Sequence, residues 1–95
     1  MHDKKYNLLV TLRAKQGLAD ELQNDLVTLS EASLATPMCT RFEVARSAID
    51  PNIFVLIETF TSCDAYPVHV ATAHAQEFLT RVVPSLIDER TAIEF

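Results

Sequence analysis

The sequence predicts an α+β domain with the ferredoxin-like split βαβ plan, a four-stranded antiparallel sheet with helices on one face. Three observations favour this fold. The hydrophobic periods give the order strand, helix, strand, strand, helix pair, strand. One strand is apolar on both of its faces and needs a cover on each. The chain has 95 residues, so we expect one domain over residues 1–95, without linkers or repeats.

In the first half of the chain, the spacing of hydrophobic residues changes from every second residue to every third or fourth. Residues 6–14 alternate apolar and polar side chains, which is typical of a strand with one buried face. Residues 15–17 form a turn, and from Leu18 onwards leucines recur every three or four residues, which predicts an amphipathic helix. This helix should end at Thr36, because the residue before a proline rarely adopts the helical conformation.

Two neighbouring strands come next. Residues 40–47 alternate in polarity, and the sequence 49–52, Ile-Asp-Pro-Asn, is a strong turn signal. The following stretch 53–60, IFVLIETF, is almost continuously β-branched or aromatic. We therefore expect a strand that is buried on both faces.

The last third of the chain predicts two helices and a strand. Thr61 and Ser62 are expected to cap a first helix, and Thr72 a second helix over residues 73–86. Residues 90–95 alternate in polarity as a final strand does. Helices on one face would leave the other face of the strand 53–60 open. We therefore predict a homodimer whose sheets face each other, completing a dimeric α+β barrel.

The amino-acid composition argues against several classes of partner and binding site. A net charge of −5 argues against binding to nucleic acid or to an anionic membrane. Gly17 is the only glycine, which excludes a glycine-rich phosphate loop. Residues 1–12 make a poor signal peptide, so a cytoplasmic location is expected. Cys39 and Cys63 fit no metal spacing and are interpreted as free thiols, with a disulfide or a nucleophilic cysteine as alternatives.

The stretch HVATAH contains His69 and His74 five residues apart. On an unbroken helix these two side chains would point about 140° apart. A helix break at Thr72 would let them approach a common space. The competing interpretation is two unrelated surface or packing residues. A metal site is not expected, since the spacing is not i,i+4 and no third ligand is near.

Glu58 lies in the middle of the most apolar strand, on the same face as Phe54, Leu56 and Phe60. A carboxylate in that position must be paired, hydrogen-bonded or protonated. One interpretation is a structural ion pair with Arg41 or Arg46. The other is a polar group in an apolar pocket that can transfer a proton.

The run from Arg41 to Leu79 contains a strand that ends in Glu-x-aromatic, an acidic helix start, a histidine, and Thr-x-His before a helix. In this combination it resembles the antibiotic biosynthesis monooxygenase (ABM) domain family. The resemblance implies a dimeric α+β barrel with a small-molecule pocket between sheet and helices. Related members include cofactor-free oxygenases of quinols and polyphenols, haem-degrading enzymes, and an isomerase of phosphorylated autoinducer-2. Phe60 stands where the oxygenases commonly have Trp.

These observations lead to three hypotheses. The first is a cofactor-independent monooxygenase of a small quinol or phenolic compound. The second is an isomerase of a phosphorylated hydroxy-carbonyl compound, whose phosphate would need Arg41, Arg46 or the helix start at Thr72. The third is a non-catalytic dimer that binds a small ligand. No cofactor and no metal are expected. The predicted site residues are His69, His74 and Glu58 as catalytic groups, with Asn7, Arg41, Phe42, Phe54 and Phe60 as substrate contacts.

Overall fold

A computed structural model describes residues 4–95. Residues 1–3 lie outside the described part of the chain. They belong to the predicted domain and to the stretch interpreted as a poor signal peptide. The strands are β1 (Tyr6–Ala14), β2 (Cys39–Arg46), β3 (Ile53–Phe60) and β4 (Ile87–Glu94). The helices are α1 (Ala19–Leu34), α2 (Ala65–Val70), α3 (Ala73–Glu77) and α4 (Val83–Leu86), with a π-helical turn (Phe78–Val82) between the last two.

The four strands form one antiparallel sheet in the order β2-β3-β1-β4, with the helices on one face. This confirms the predicted fold class. The alternating residues of β1 divide as the sequence predicts. Leu8, Val10 and Leu12 are buried under the helices, whereas Leu9 and Thr11 lie on the opposite face, here called the open face.

The helix α1 buries the predicted leucine stripe against the sheet. Leu22 and Leu26 are completely buried, and Leu29 nearly so. The helix begins one residue later than predicted, because Leu18 is its N-cap residue. Gly17 precedes it with φ +81, a left-handed conformation that glycine adopts without steric cost.

Two features of the C-terminal helices differ from those predicted. Neither Thr61 nor Ser62 caps α2 with its side chain, and the residue before the helix is Asp64. The predicted helix over 73–86 contains the π-helical turn, in which the N–H of Val83 donates to the carbonyl of Phe78. Pro84 accounts for this irregularity, since it lacks an N–H and its ring crowds the carbonyl four residues before it.

The last strand starts at Ile87 rather than Arg90, so it is three residues longer at its start than predicted. It pairs with β1 along nearly its whole length, from Leu8 opposite Glu94 to Ala14 opposite Ile87. Among residues 4–95, no helix is long and apolar enough to cross a membrane.

Candidate active site

A cavity of about 330 Å³ lies between the helices and the sheet. This volume is within the range of small-molecule sites. Ten of its lining side chains are apolar: Val10, Leu12, Leu29, Phe42, Leu56, Val70, Ala75, Phe78, Leu79 and Ala92. Four are polar: Glu58, Tyr66, His69 and Arg90. Because Arg90 and Ala92 on β4 are exposed, we infer that the cavity opens over this edge of the sheet.

Glu58 forms part of the cavity floor and is only 7% exposed. It pairs with Leu8 on one side and Phe42 on the other, so apolar strands flank it. Burial raises the pKa of Glu58 to about 7, against a smaller opposing effect of the positive charge of Arg90. The side chain is therefore protonated in a large fraction of molecules at neutral pH, and a protonated carboxyl can donate a hydrogen bond.

His69, near the end of α2, is 5% exposed. Burial, followed by the charge of His74, lowers the pKa of His69. Its Nδ1 atom has no hydrogen-bond partner among residues 4–95. A buried imidazole that is neutral at pH 7 and has an unpartnered ring nitrogen is suited to accept or hold a proton.

An aromatic cluster holds the His69 ring in place. The ring centre lies 4.7 Å from that of Phe60 and 6.1 Å from that of Tyr66, whose ring is stacked on it at an interplanar angle of 30°. Tyr66 also contacts Phe60 edge-on at 5.3 Å. Burial, and then the negative charge of Glu58, raises the pKa of Tyr66. Tyr66 therefore remains a neutral hydroxyl that can donate a hydrogen bond within the cavity.

The helix break at Thr72 brings the two histidines together. Thr72 is the extended N-cap residue of α3, and its Oγ1 accepts from the N–H of Ala75 at 3.4 Å. The same hydroxyl donates to the carbonyl oxygen of His69 at 2.6 Å and lies 3.2 Å from Nε2 of His74. The centres of the two imidazole rings are 5.9 Å apart. His74 does not line the cavity but lines a neighbouring groove.

The structure places only some of the predicted substrate contacts in the cavity lining. Phe42 lines the cavity with Glu58 and His69. Phe60 and Phe54 are completely buried; Phe60 packs on His69, and Arg46 lies over the Phe54 ring at 5.3 Å. Neither ring lines the cavity.

Asn7 and Arg41 lie on the open face of the sheet, away from the cavity. The two residues stand on either side of Thr59, which pairs with both. The side-chain carbonyl of Asn7 accepts from Thr59 Oγ1 at 2.8 Å, and Arg41 pairs with Glu43 at 2.7 Å. The predicted ion pair of Glu58 with Arg41 or Arg46 is absent among the described contacts, since Arg46 pairs with Asp20.

Sequence reasoning missed Arg90 and Tyr66. Arg90 is the only arginine or lysine in the cavity lining, and it forms no ion pair with a carboxylate among residues 4–95. The alternation of β4, which places Arg90 and Ala92 on one face, was the available signal. For Tyr66 the signal was its i,i+3 spacing from His69 on α2. No three His, Cys, Asp or Glu side chains within residues 4–95 are grouped to hold a metal ion.

A small α+β domain with helices on one face of a four-stranded antiparallel sheet belongs to the ferredoxin-like class of folds. Residues 6–81 match the family described as antibiotic biosynthesis monooxygenase. The chain therefore belongs to the antibiotic biosynthesis monooxygenase family.

Solved structures share the fold over nearly the whole chain. A Pseudomonas aeruginosa protein has a TM-score of 0.92 at 24% identity, covering 100% of this chain and 96% of that one. A Shewanella oneidensis protein has a TM-score of 0.91 at 20% identity, covering 98% and 90%. A Nitrosomonas europaea protein, described as a candidate antibiotic biosynthesis monooxygenase, has a TM-score of 0.89 at 23% identity, covering 100% and 90%. No curated protein matches the sequence significantly.

Proposed function

We propose that this protein is a cofactor-independent monooxygenase that oxidises a small quinol or related phenolic compound with O₂. The observation that carries the proposal is His69, a buried base whose Nδ1 has no partner among the described residues, in an apolar cavity of about 330 Å³. An apolar cavity suits an aromatic ring and O₂, and it excludes the water that would intercept a reactive intermediate. The family name supports this reaction class.

The polar groups of the cavity have complementary roles in this proposal. His69 accepts the proton of one substrate hydroxyl. Arg90 stabilises the phenolate that forms, because it is the arginine that lines the cavity. Protonated Glu58 and the Tyr66 hydroxyl donate hydrogen bonds to a second substrate oxygen. None of these steps requires Asn7, Arg41, Phe54 or Phe60 to touch the substrate.

The reaction balances with O₂ as the oxidant. The phenolate passes one electron to O₂, and the substrate radical and superoxide combine into a new C–O bond at a ring carbon. The peroxide anion takes up one proton, which replaces the proton that left the substrate. The O–O bond then breaks as the ring carbon loses its hydrogen, which leaves a new carbonyl group and one water. A benzenediol plus O₂ thus gives a hydroxyquinone plus water.

Oxygen uptake by the purified protein tests this function. A panel of quinols, catechols and polyphenols should contain a substrate that consumes O₂ in one-to-one proportion, with one atom of ¹⁸O₂ appearing in the product. Heat-denatured protein controls for autoxidation. A panel in which every compound reacts no faster than with denatured protein would contradict the proposal for those substrate classes.

The isomerase remains the second candidate, and Arg90 is the observation that favours it. A phosphorylated hydroxy-carbonyl compound needs a cation, and Arg90 lines the cavity, whereas Arg41 and Arg46 are paired outside it. Glu58 and His69 would then move the protons of an enediol intermediate. Solvent deuterium entering the substrate carbon, without O₂ uptake, would identify this reaction. A protein that binds the panel compounds but does neither would be the non-catalytic dimer.

We also propose that the open face of the sheet is the homodimer interface. Ile57, Leu9 and Ile93 lie side by side across three strands, and Ile93 is 58% exposed. The next row contains Val55, with Thr11 and Thr91 hydrogen-bonded to each other. An apolar row in the centre of an uncovered sheet resembles the core of an interface between copies.

A charged residue at the centre of the open face should prevent two copies of the chain from associating. Ile57→Arg places a charge in the apolar row and is expected to give a monomer, because an unpaired buried charge opposes association. Val27→Arg is the matched control, since Val27 is equally apolar but 43% exposed on α1. Sedimentation equilibrium measures both masses. A dimeric Ile57→Arg protein, or a monomeric wild type, would contradict the interface.

A further inference from the structure

A groove of about 390 Å³ lies directly behind the cavity, between α1 and the segment from α3 through the π-helical turn. Leu29 and Phe78 line both spaces and so form part of the wall between them. The two histidines stand at this wall, with His69 on the cavity side and His74 on the groove side. Their ring centres are 5.9 Å apart.

The hydrogen bonds of Thr72 determine which nitrogen of the His74 ring carries the hydrogen. A hydroxyl has one proton to donate, and Thr72 gives it to the carbonyl oxygen of His69, which can only accept. Its Oγ1 can then only accept from Nε2 of His74, so that this nitrogen carries a hydrogen. In the neutral ring, Nδ1 is therefore the atom that can accept a further proton.

We infer that His74 is a proton-relay residue that connects His69 to the groove between α1 and α3. This inference rests on the proposed function, in which His69 takes a proton from the substrate. A bound substrate fills the cavity, so the proton leaves for the solvent, and the proton for the peroxide returns, by another way. Imidazole rings at this separation can exchange a proton through one bridging water.

The groups around His74 complete the relay to solvent. The groove is lined by two carboxylates, Asp25 from α1 and Glu77 from α3, and by Arg81 from the π-helical turn. Arg81 binds Asp25 at 3.1 Å and Glu77 at 2.5 Å. One arginine between two carboxylates leaves a net charge of −1, so the groove favours a proton that arrives from the cavity side.

The first test follows proton exchange and needs no substrate. The ring N–H of His69, labelled with ¹⁵N, should exchange with water at least ~10-fold more slowly in His74→Ala than in wild type. Added imidazole should restore the rate, since the substitution leaves room for it in the groove. Thr28→Ala, an exposed groove residue without a titratable group, should exchange as wild type does.

The second test follows turnover with a substrate found by oxygen uptake. His74→Ala should lower kcat at least ~10-fold with little change in KM, and imidazole should restore kcat. Unchanged His69 exchange in His74→Ala, or a loss that imidazole does not restore, would overturn the relay. Changed exchange in a protein without oxygenase activity would uphold the relay and reject only the oxygenase.

Discussion

His69→Gln is expected to lower kcat/KM for O₂-dependent oxidation by roughly 10²–10⁴-fold, the range for loss of a general acid–base group. Glutamine retains a polar side chain of similar length, but its amide cannot take a proton at neutral pH. The imidazole of His69 can do so because its ring is neutral at pH 7 and its Nδ1 has no hydrogen-bond partner among residues 4–95. Oxygen-electrode kinetics of the two proteins measure the effect.

The pH profile separates loss of a base from loss of structure. The wild-type rate should fall as the pH drops below 6.5 towards the lowered pKa of His69, since only the neutral ring accepts a proton. It should also fall above a pH of about 7, where Glu58 loses its proton. His69→Gln should lose the acidic limb and keep the alkaline one. A variant with wild-type kcat/KM, or with both limbs intact, would exclude His69 as the base.

Phe42→Leu is a matched control for this variant. Phe42 lines the same cavity but has no titratable group. This substitution should mainly alter KM through the shape of the cavity, leaving both limbs of the pH profile in place. Equal thermal unfolding temperatures of the two variants and wild type would show that the kinetic difference does not arise from unfolding.

The sequence contained enough information for the fold. The leucine period from Leu18, the alternation of residues 6–14 and the turn at Asp50-Pro51-Asn52 each predict an element from local chemistry alone. The structure reproduces the turn, in which Asn52 N–H donates to the Asp50 carboxylate and Ile53 N–H to the Asp50 carbonyl. These features depend on neighbours along the chain, which a single sequence records.

The composition of the cavity depended on pairings between strands, which a single sequence does not record. Asn7 lies on the opposite face from Leu8, as the alternation of β1 predicts, but only the pairing of Leu8 with Glu58 shows that the cavity is on the Leu8 face. The alternation of residues 90–95 showed that Arg90 and Ala92 share a face, but only the pairing of β4 with β1 shows that this face lines the cavity. The break at Thr72 was readable, since a β-branched hydroxyl residue before a new apolar period is an N-cap signal.

Pro84 is a local sequence signal for a helix distortion that the sequence analysis did not predict. A proline twelve residues into a predicted helix over 73–86 requires a distortion before it. The structure places the π-helical turn there, with Phe78 and Val82 buried. Phe78 lines both the cavity and the groove. The irregular turn therefore contributes to the wall on which the proposed relay depends.

Glu58→Gln should remove a pH dependence of stability that the wild type carries. The pKa of Glu58 is raised from 4.5 to about 7 in the folded protein. The folded state therefore holds this proton more tightly than the unfolded state, and the stabilisation is complete below pH 4.5 and lost as the pH rises through about 7. A shift of this size corresponds to about 3 kcal/mol in the free energy of unfolding.

The comparison of variant and wild type isolates this effect from other titrations. The lowered pKa of His69 acts in the opposite direction, destabilising the fold as the pH falls below 6.5, but both proteins share it. Arg90 and Tyr66, the other polar groups of the cavity, are also common to both. The stability of Glu58→Gln relative to wild type should therefore increase from pH 5 to pH 8.

Urea unfolding at pH 5, 6, 7 and 8, at one protein concentration, measures this difference. Glu43→Gln is the matched control, because Glu43 is an exposed carboxylate on the neighbouring strand, paired with Arg41. Its difference from wild type should show no comparable rise with pH. A ¹³C NMR titration of the Glu58 carboxyl group should have its midpoint near 7. Parallel stability curves for Glu58→Gln and wild type would mean that Glu58 is ionised in the folded protein, and the hydrogen-bond donor assigned to it in the cavity would be lost.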